Sequence, residues 1–380
     1  MLEHDHLSRF LSHRHSLCQP HYQSLRKPLR KPLRKPLIVA LSALAVSSFG
    51  ISSMAAAEGT PPAQVFDLTT WKLTLPMDAD GDDDVDEISV GELQSYQHPD
   101  YYYLNDNNHL VFVTPNSAFT TPNSSNARTE LRQMLAGADD AFGPKAPEQN
   151  FALASHPEAD RYAQIGGYLD ATLRVDHVAE RTDKPDRAAA YSVVIGQIHA
   201  GKDEAVLAQD NGFGHGNEPL KIYYKKFPDH ETGSVFWNYE RNLEKDDPKR
   251  IDISHAVWGN DWSGSEDPGE EGIALGESFR YRVEVKDDVM HLTFASDGHP
   301  TRTFEQNLAD NVGPDGEVDE ADHPRGYAGD WMYFKAGSYN QCNTKPESGA
   351  CLGTGVWETD QQHGDYAQVV FSELDSGPVE

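Results

Sequence analysis

The chain has 380 residues, with 32 basic and 61 acidic side chains and a formal charge of −29. So acidic a surface excludes non-specific binding to nucleic acid or to an anionic membrane. The length allows one large domain or two modest ones.

The first 57 residues differ sharply from the rest. Leu-Arg-Lys-Pro occurs three times in tandem, at 25–28, 29–32 and 33–36, and the apolar run LIVALSALAV follows from Leu37. Ala55, Ala56 and Ala57 then supply a small-residue cleavage site. A basic n-region, a short apolar h-region and such a site make a secretory signal over residues 1–57. The apolar run is shorter than the ~20 residues that a spanning helix needs. The mature protein, residues 58–380, is therefore expected to be secreted or periplasmic, with no membrane attachment after cleavage. Cleavage leaves 24 basic against 59 acidic side chains, a charge of −35, and removes Cys18. Cys342 and Cys351 are left close together in a chain bound for an oxidising compartment, so a disulfide is the natural reading. On the chain-entropy model, closing so short a loop stabilises by roughly 2–3 kcal/mol. Two thiols alone cannot form a zinc site.

Beyond Glu58 the signals are mostly strands. VGELQSY (90–96) is a helix candidate in a chain where helical periodicity is scarce. RTELR (128–132) puts Arg128, Glu130 and Arg132 on one face at strand spacing, with Thr129 and Leu131 on the other; at helical spacing the two arginines would repel as i,i+4 neighbours. In YLDATLRVDHV (168–178), Leu169, Ala171, Leu173 and Val175 alternate with polar residues. VVIGQIH (193–199) sets Gln197 and His199 on one side and Ile198 on the other. KIYYKKF (221–227) and SVFWNYE (234–240) are further strands. SFRYRVEVKDD (278–288), with Met290, Leu292 and Phe294 after it, reads as a hairpin turning at Asp287 and Asp288. In YFKAGSYNQ (333–341), Tyr333, Lys335, Tyr339 and Gln341 share a face if the strand runs straight. AQVVFSEL (367–374) is the last candidate. Many short strands and Gly/Pro-rich turns argue for an all-β antiparallel sandwich, and no composition break marks a second domain within 58–380. The acidic stretches near 201–218, 242–271 and 308–325 read as long loops.

Three strands carrying Arg, Gln, His, Lys and Tyr on one side would give a basic, hydrogen-bonding floor on a very acidic protein. Its ligand should be an anionic molecule rich in hydroxyls. DADGDDDVDE (78–87) lacks the Gly at position six and the Glu at position twelve of an EF-hand. It reads as a solvated acidic loop, with a non-EF structural calcium site as the alternative; otherwise no metal or cofactor is expected. GFGHG (212–216) lacks the Lys and the strand–helix context of a phosphate loop and reads as a flexible loop. No GxSxG nucleophile elbow is present.

RTELR, QIH and YFKAGSYNQ, in this order, resemble the three signature blocks of the alginate lyases of polysaccharide lyase family 7. WKLTLP (71–76) and EPLKIYYKK (218–226) are similar to that family as well, and the resemblance spans about residues 65–375. It implies a β-jelly roll of two antiparallel sheets with a concave substrate groove, acting as a monomer on the alginate polysaccharide. Alginate is a 4-linked chain of mannuronate and guluronate, cleaved by β-elimination: the C5 proton is removed and the C4 oxygen expelled. The C5 proton is poorly acidic beside a charged carboxylate, so fixed donors must neutralise that carboxylate. The resemblance gives this role to Arg128, Gln197 and His199, and makes Tyr339 the general base and acid. A Tyr base needs its ordinary pKa of about 10 brought down, for which nearby cations serve. His199 is the other candidate base, for guluronate, whose C5 proton lies on the opposite side. Arg132, Glu130, Lys335, Tyr333, Gln341 and Lys221 are expected around the substrate, with Glu130 pairing with Arg132 to hold the row in place.

Ile198 at the centre of Gln-x-His is the form associated in the family with guluronate-containing sequences, and an open groove implies internal cuts. Two alternatives stand beside this reading. One is a non-catalytic carbohydrate-binding jelly roll, which would not need the Gln-x-His and Tyr elements together. The other is a lyase of another polyuronate such as glucuronan.

Overall fold

Alternation of apolar and polar side chains becomes strands at Gly167–His177, Phe279–Lys286 and Val289–Ser296. The computed structural model describes residues 59–209 and 213–379; the segment read as a signal, and Gly212, lie outside them. The strands are β1 (Trp71–Thr74), β2 (Glu87–Ile88), β3 (Tyr102–Leu104), β4 (Leu110–Pro115), β5 (Arg128–Gln133), β6 (Phe151–Ala152), β7 (Gln164–Ile165), β8 (Gly167–His177) and β9 (Ser192–Lys202). They continue with β10 (Leu220–Lys225), β11 (Ser234–Glu240), β12 (Asp252–Trp258), β13 (Phe279–Lys286), β14 (Val289–Ser296), β15 (His299–Asn307), β16 (Asp330–Asn340) and β17 (Tyr366–Gly377). One sheet of 10 strands runs in the order β12-β11-β10-β9-β16-β5-β1-β2, with β6 and β7 attached at β16. The other, of 7 strands, runs β15-β14-β13-β8-β17-β4-β3. Pairing is antiparallel except between β6 and β7.

The two sheets pack face to face as a β-jelly roll. The core joins Leu131, Ile198, Ile222, Trp237 and Phe334 of the first sheet to Leu169, Leu173, Val283, Leu292 and Phe371 of the second, each 0–1 % exposed. β8 shows the expected period: Leu169, Ala171, Leu173 and Val175 are buried, and the residues between them are half-buried. The β13–β14 hairpin turns at Asp287 and Asp288, and Asp287 takes a φ of 55°.

Helices are few, as expected. VGELQSY gives a single turn, α1 (Val90–Leu93), started by a capping box between Ser89 and Glu92. Two further helices, α2 (Glu204–Leu207) and α3 (Trp357–His363), were not anticipated. α3 ends on Gly364 in the left-handed region at φ 70°. Among the described residues no helix is long and apolar enough to cross a membrane.

The acidic stretches are not all loops. That at 242–271 contains β12, the edge strand of the 10-stranded sheet, whose residues 252–256 are at least partly exposed. An edge strand buries little of either face, so its sequence lacks the apolar alternation that marks the central strands. The stretch at 201–218 contains the end of β9 and α2.

Two glycines shape the site-bearing sheet. β9 bulges around Ile195 and Gly196, where its register slips against both β10 and β16. A Cβ on Gly196 would lie 2.6 Å from the Tyr281 hydroxyl, which donates to the Ile195 carbonyl at 3.0 Å. Gly337 of β16 has a φ of 146°, and a Cβ there would lie 2.6 Å from the Thr129 carbonyl. Cys342 and Cys351 stand with their Cα atoms 5.2 Å apart, a separation that suits a disulfide, just beyond the end of β16.

Candidate active site

Directly paired residues of antiparallel strands share a face, so the register lays out the floor of the cleft. One row crosses the sheet as Lys72, Arg132, Lys335, Gln197, Lys221 and Asn238, each the cross-strand partner of the next. A second row runs Arg128, Tyr339, Val194, Tyr223 and Phe236. Tyr333 and His199 pair in a third. The three signature segments therefore sit on adjacent strands β5, β16 and β9. Arg128, Arg132, Gln197, His199, Tyr333, Lys335 and Tyr339 line one cleft of about 320 Å³. Ile198 points the other way and is fully buried in the core.

Glu130 is the hub of this floor, with Gly337 opposite it. It is 2 % exposed, yet it gathers the Lys335 ammonium, the Gln197 side-chain amide and Arg128 Nη1, the last at 3.2 Å. Burial pushes its pKa up, but the Lys335 and Arg128 cations outweigh burial and hold the carboxyl below the ordinary glutamate range. Burial, helped by Arg128, pushes the Lys335 ammonium down to about 8 against the opposing pull of Glu130.

The expected pairing of Glu130 with Arg132 does not form. Arg132 donates to the Gln133 carbonyl at 2.7 Å and to Asn150 Oδ1 at 2.8 Å, and its guanidinium stacks 4.0 Å from the centre of the Tyr333 ring. Cross-strand geometry decides this: Lys335 of the neighbouring strand reaches Glu130, a contact that spacing within RTELR cannot reveal.

Arg128 stacks over Tyr339, its guanidinium carbon 3.9 Å from the ring centre. Ser124 bridges the two, with Oγ 3.2 Å from Arg128 Nη2 and 3.1 Å from the Tyr339 hydroxyl. His199 places Nδ1 2.6 Å from the Ala200 carbonyl and Nε2 3.3 Å from Glu218 Oε1. Burial pulls the imidazole pKa down, Lys335 and Arg128 add to that, and Glu218 opposes it.

Ser124 and Glu218 also line the cleft and do not stand out in the sequence. The available signals are a polar residue four places ahead of RTELR and the acidic residue that opens EPLKIYYKK. Lys221 and Gln341 are not among the cleft-lining residues. Lys221 lies 3.6, 3.7 and 3.4 Å from Glu218, Glu240 and Asp252. Gln341 is 8 % exposed and accepts from Asn126 Nδ2 at 3.2 Å, bracing the segment before β5. In the acidic loop, one carboxylate oxygen each from Asp78, Asp80 and Asp86 lie within 4.8 Å of one another, and backbone N–H groups of Gly81 and Asp83 donate to Asp78.

Two antiparallel sheets, with cations, an amide, an imidazole and phenols converging on one face, define a jelly roll that carries its chemistry on a single sheet. A sequence profile described as alginate lyase matches residues 66–377. An alginate lyase of Klebsiella pneumoniae is 33% identical over 316 residues, covering 80% of this chain and 93% of that protein. The crystal structure of the alginate lyase from Klebsiella pneumoniae superposes with a TM-score of 0.65 at 28% identity, over 84% of this chain and 99% of that one. The exolytic family 7 alginate lyase of Zobellia galactanivorans superposes with a TM-score of 0.64 at 36% identity, over 84% and 98%. The chain belongs to the alginate lyases of polysaccharide lyase family 7, and is thus a polysaccharide lyase.

Proposed function

We propose that the protein is exported and cleaves the 4-linked mannuronate/guluronate polymer by β-elimination, leaving unsaturated uronate ends. The observation that carries this is the convergence of Arg128, Gln197, His199 and Tyr339 from three adjacent strands on one cleft. Arg128 supplies the charge that meets the substrate carboxylate. Its Nη1 and Nη2 each give one hydrogen bond, to Glu130 and to Ser124, and each keeps a second hydrogen for an incoming carboxylate. Gln197 gives one amide hydrogen to Glu130 and keeps another for the uronate. With the carboxylate neutralised, charge arising as C5–H breaks is met by fixed donors. On mannuronate, Tyr339 takes the C5 proton and returns one to the C4 oxygen, while negative charge on its ring faces Arg128. On guluronate, His199 takes the C5 proton and Tyr339 protonates the leaving oxygen.

The cleft crosses several strands, lined from Lys72 of β1 through Arg132, Lys335 and Gln197 to Glu218, which supports internal cuts in a polymer lying across them. Ile198, buried behind Gln197 and His199, supports action on guluronate-containing blocks through packing rather than contact. One observation favours a second mode: the similarity to the exolytic lyase of Zobellia galactanivorans. Ultraviolet absorbance on purified polymannuronate and polyguluronate tests the chemistry, because elimination creates a C4–C5 double bond conjugated to the carboxylate. Early products of mixed length support internal cuts, whereas a single short product from the first minutes supports the exolytic mode. No absorbance rise on either polymer, with binding retained, would leave a non-catalytic binding protein.

A further inference from the structure

Both ring nitrogens of His199 face oxygen acceptors. The Ala200 carbonyl, 2.6 Å from Nδ1, can only accept, so Nδ1 carries a hydrogen. A neutral ring then has its lone pair at Nε2, facing Glu218 Oε1 at 3.3 Å. A lone pair and a carboxylate oxygen tolerate this separation only when a proton is shared in the neighbourhood or the ring is an imidazolium. The Glu218 backbone N–H donates to Glu240 Oε2 at 3.2 Å, and burial pushes the Glu240 carboxyl up. Glu218 itself is held low: burial opposes its charge, but Lys221 and His199 outweigh burial. Lys221 lies 3.6 and 3.7 Å from the two carboxylates, and Arg250 Nη2 lies 2.8 Å from Glu240. The result is an imidazole followed by two carboxyl groups, with two cations against them.

We propose that Glu218 is the positioning residue for His199: the Ala200 carbonyl fixes the Nδ1–H tautomer, and Glu218, 3.3 Å from Nε2, orients the ring and pairs with the imidazolium formed when Nε2 takes the guluronate C5 proton. This rests on the alginate lyase reading above. The C5–H bond breaks and N–H forms at Nε2. The C4–O bond breaks, and the leaving oxygen takes the Tyr339 proton. The imidazolium, paired with Glu218, returns its proton to water, and the Tyr339 phenolate regains one from water. On mannuronate, Tyr339 performs both transfers and His199 gains no proton. Glu218 therefore acts on block selectivity, and its influence is specific to the guluronate reaction.

The charged and titratable groups facing His199 are Glu218 ahead of β10, Tyr333 stacked at 5.3 Å and Lys335 on β16, and Arg128 on β5. Glu218 alone among them raises the imidazole pKa in competition with burial, Lys335 and Arg128. Removing its charge should thus move the imidazole titration, and the acid limb of activity on polyguluronate, to lower pH.

The test uses the full chain, its Glu218→Gln variant and its Glu240→Gln variant, the last removing a neighbouring carboxyl that is not paired with His199. Nitrogen NMR of His199 follows its titration and tautomer, and kcat/KM is measured against pH on both block polymers. We expect an Nδ1–H tautomer in the unmodified protein. Glu218→Gln should shift the titration and the polyguluronate acid limb downward, and lower the polyguluronate-to-polymannuronate ratio of kcat by about tenfold or more. Glu240→Gln should leave both near their original positions. An Nε2–H tautomer in the unmodified protein overturns the proposal without any variant. So does a Glu218→Gln protein with an unmoved His199 titration, or with both polymers slowed equally. A protein inert on both polymers overturns the lyase reading instead, and the titration, which needs no turnover, still decides the role of Glu218.

Discussion

Arg128 and Tyr339 are cross-strand partners, and the guanidinium of the first lies flat over the ring of the second at 3.9 Å. The charge that would neutralise the substrate and the phenol that would move its proton are thus held as one unit, with Ser124 Oγ touching both. Ser124→Ala should loosen the unit without dismantling it. Ser124 Oγ also bonds the Asn126 carbonyl at 2.9 Å and the Asn126 N–H at 3.1 Å; a net loss of about 1–2 kcal/mol predicts a roughly tenfold drop in kcat with the fold intact. Steady-state rates with a matched melting curve check this; unchanged turnover would show that the bridge is incidental.

Glu130 compensates two cations from a buried position, so its removal should act on stability before activity. Glu130→Gln leaves Lys335 without its carboxylate and should cost about 3–5 kcal/mol, the range for breaking a buried pair. The pH dependence has a definite sign. The folded carboxyl titrates below its ordinary value, so its contribution is complete above that value and disappears as pH falls through the folded one. Denaturant titrations at falling pH should show this acid-side loss in the original protein and a smaller one in the variant. Equal slopes would remove the assigned role.

The Cys342–Cys351 pair follows directly after the strand that carries Tyr339. Mass spectrometry of unreduced, alkylated protein should find neither thiol free, and reduction should lower stability by roughly 2–3 kcal/mol. Labelling of both cysteines would refute the bond.

Much of this was legible because a strand has a period of two. RTELR, QIH and the Tyr333–Tyr339 segment each declared one polar and one apolar face, and the structure puts the polar faces on a common cleft. Partner choice was not legible: Glu130 takes Lys335 rather than Arg132 because the nearest neighbour lies on the adjacent strand, which no single segment encodes. The bulge at Gly196 depends on the hydroxyl of Tyr281 in the opposite sheet. β12 escaped notice because an exposed edge strand carries no apolar rhythm, and Ser124 and Glu218 because they stand just outside the strands.

In the proposed reaction Arg128, Gln197 and His199 neutralise the carboxylate, so the proposal needs no metal at the cleft. Treatment with a chelator should leave turnover unchanged. Loss of turnover at an unchanged melting temperature would contradict this. Loss of both would point to a structural cation at Asp78, Asp80 and Asp86.

The central claim is that the Tyr339 hydroxyl moves the proton, and Tyr339→Phe tests it with the removal of one oxygen. Its ring would keep its place under Arg128, so the fold and polymer binding should be retained. The rate of absorbance increase on polymannuronate, polyguluronate and mixed alginate should fall by about 10²-fold or more, as for loss of a positioned acid–base group. Near-normal turnover on every block type would contradict the account and pass the role to His199 or Tyr333.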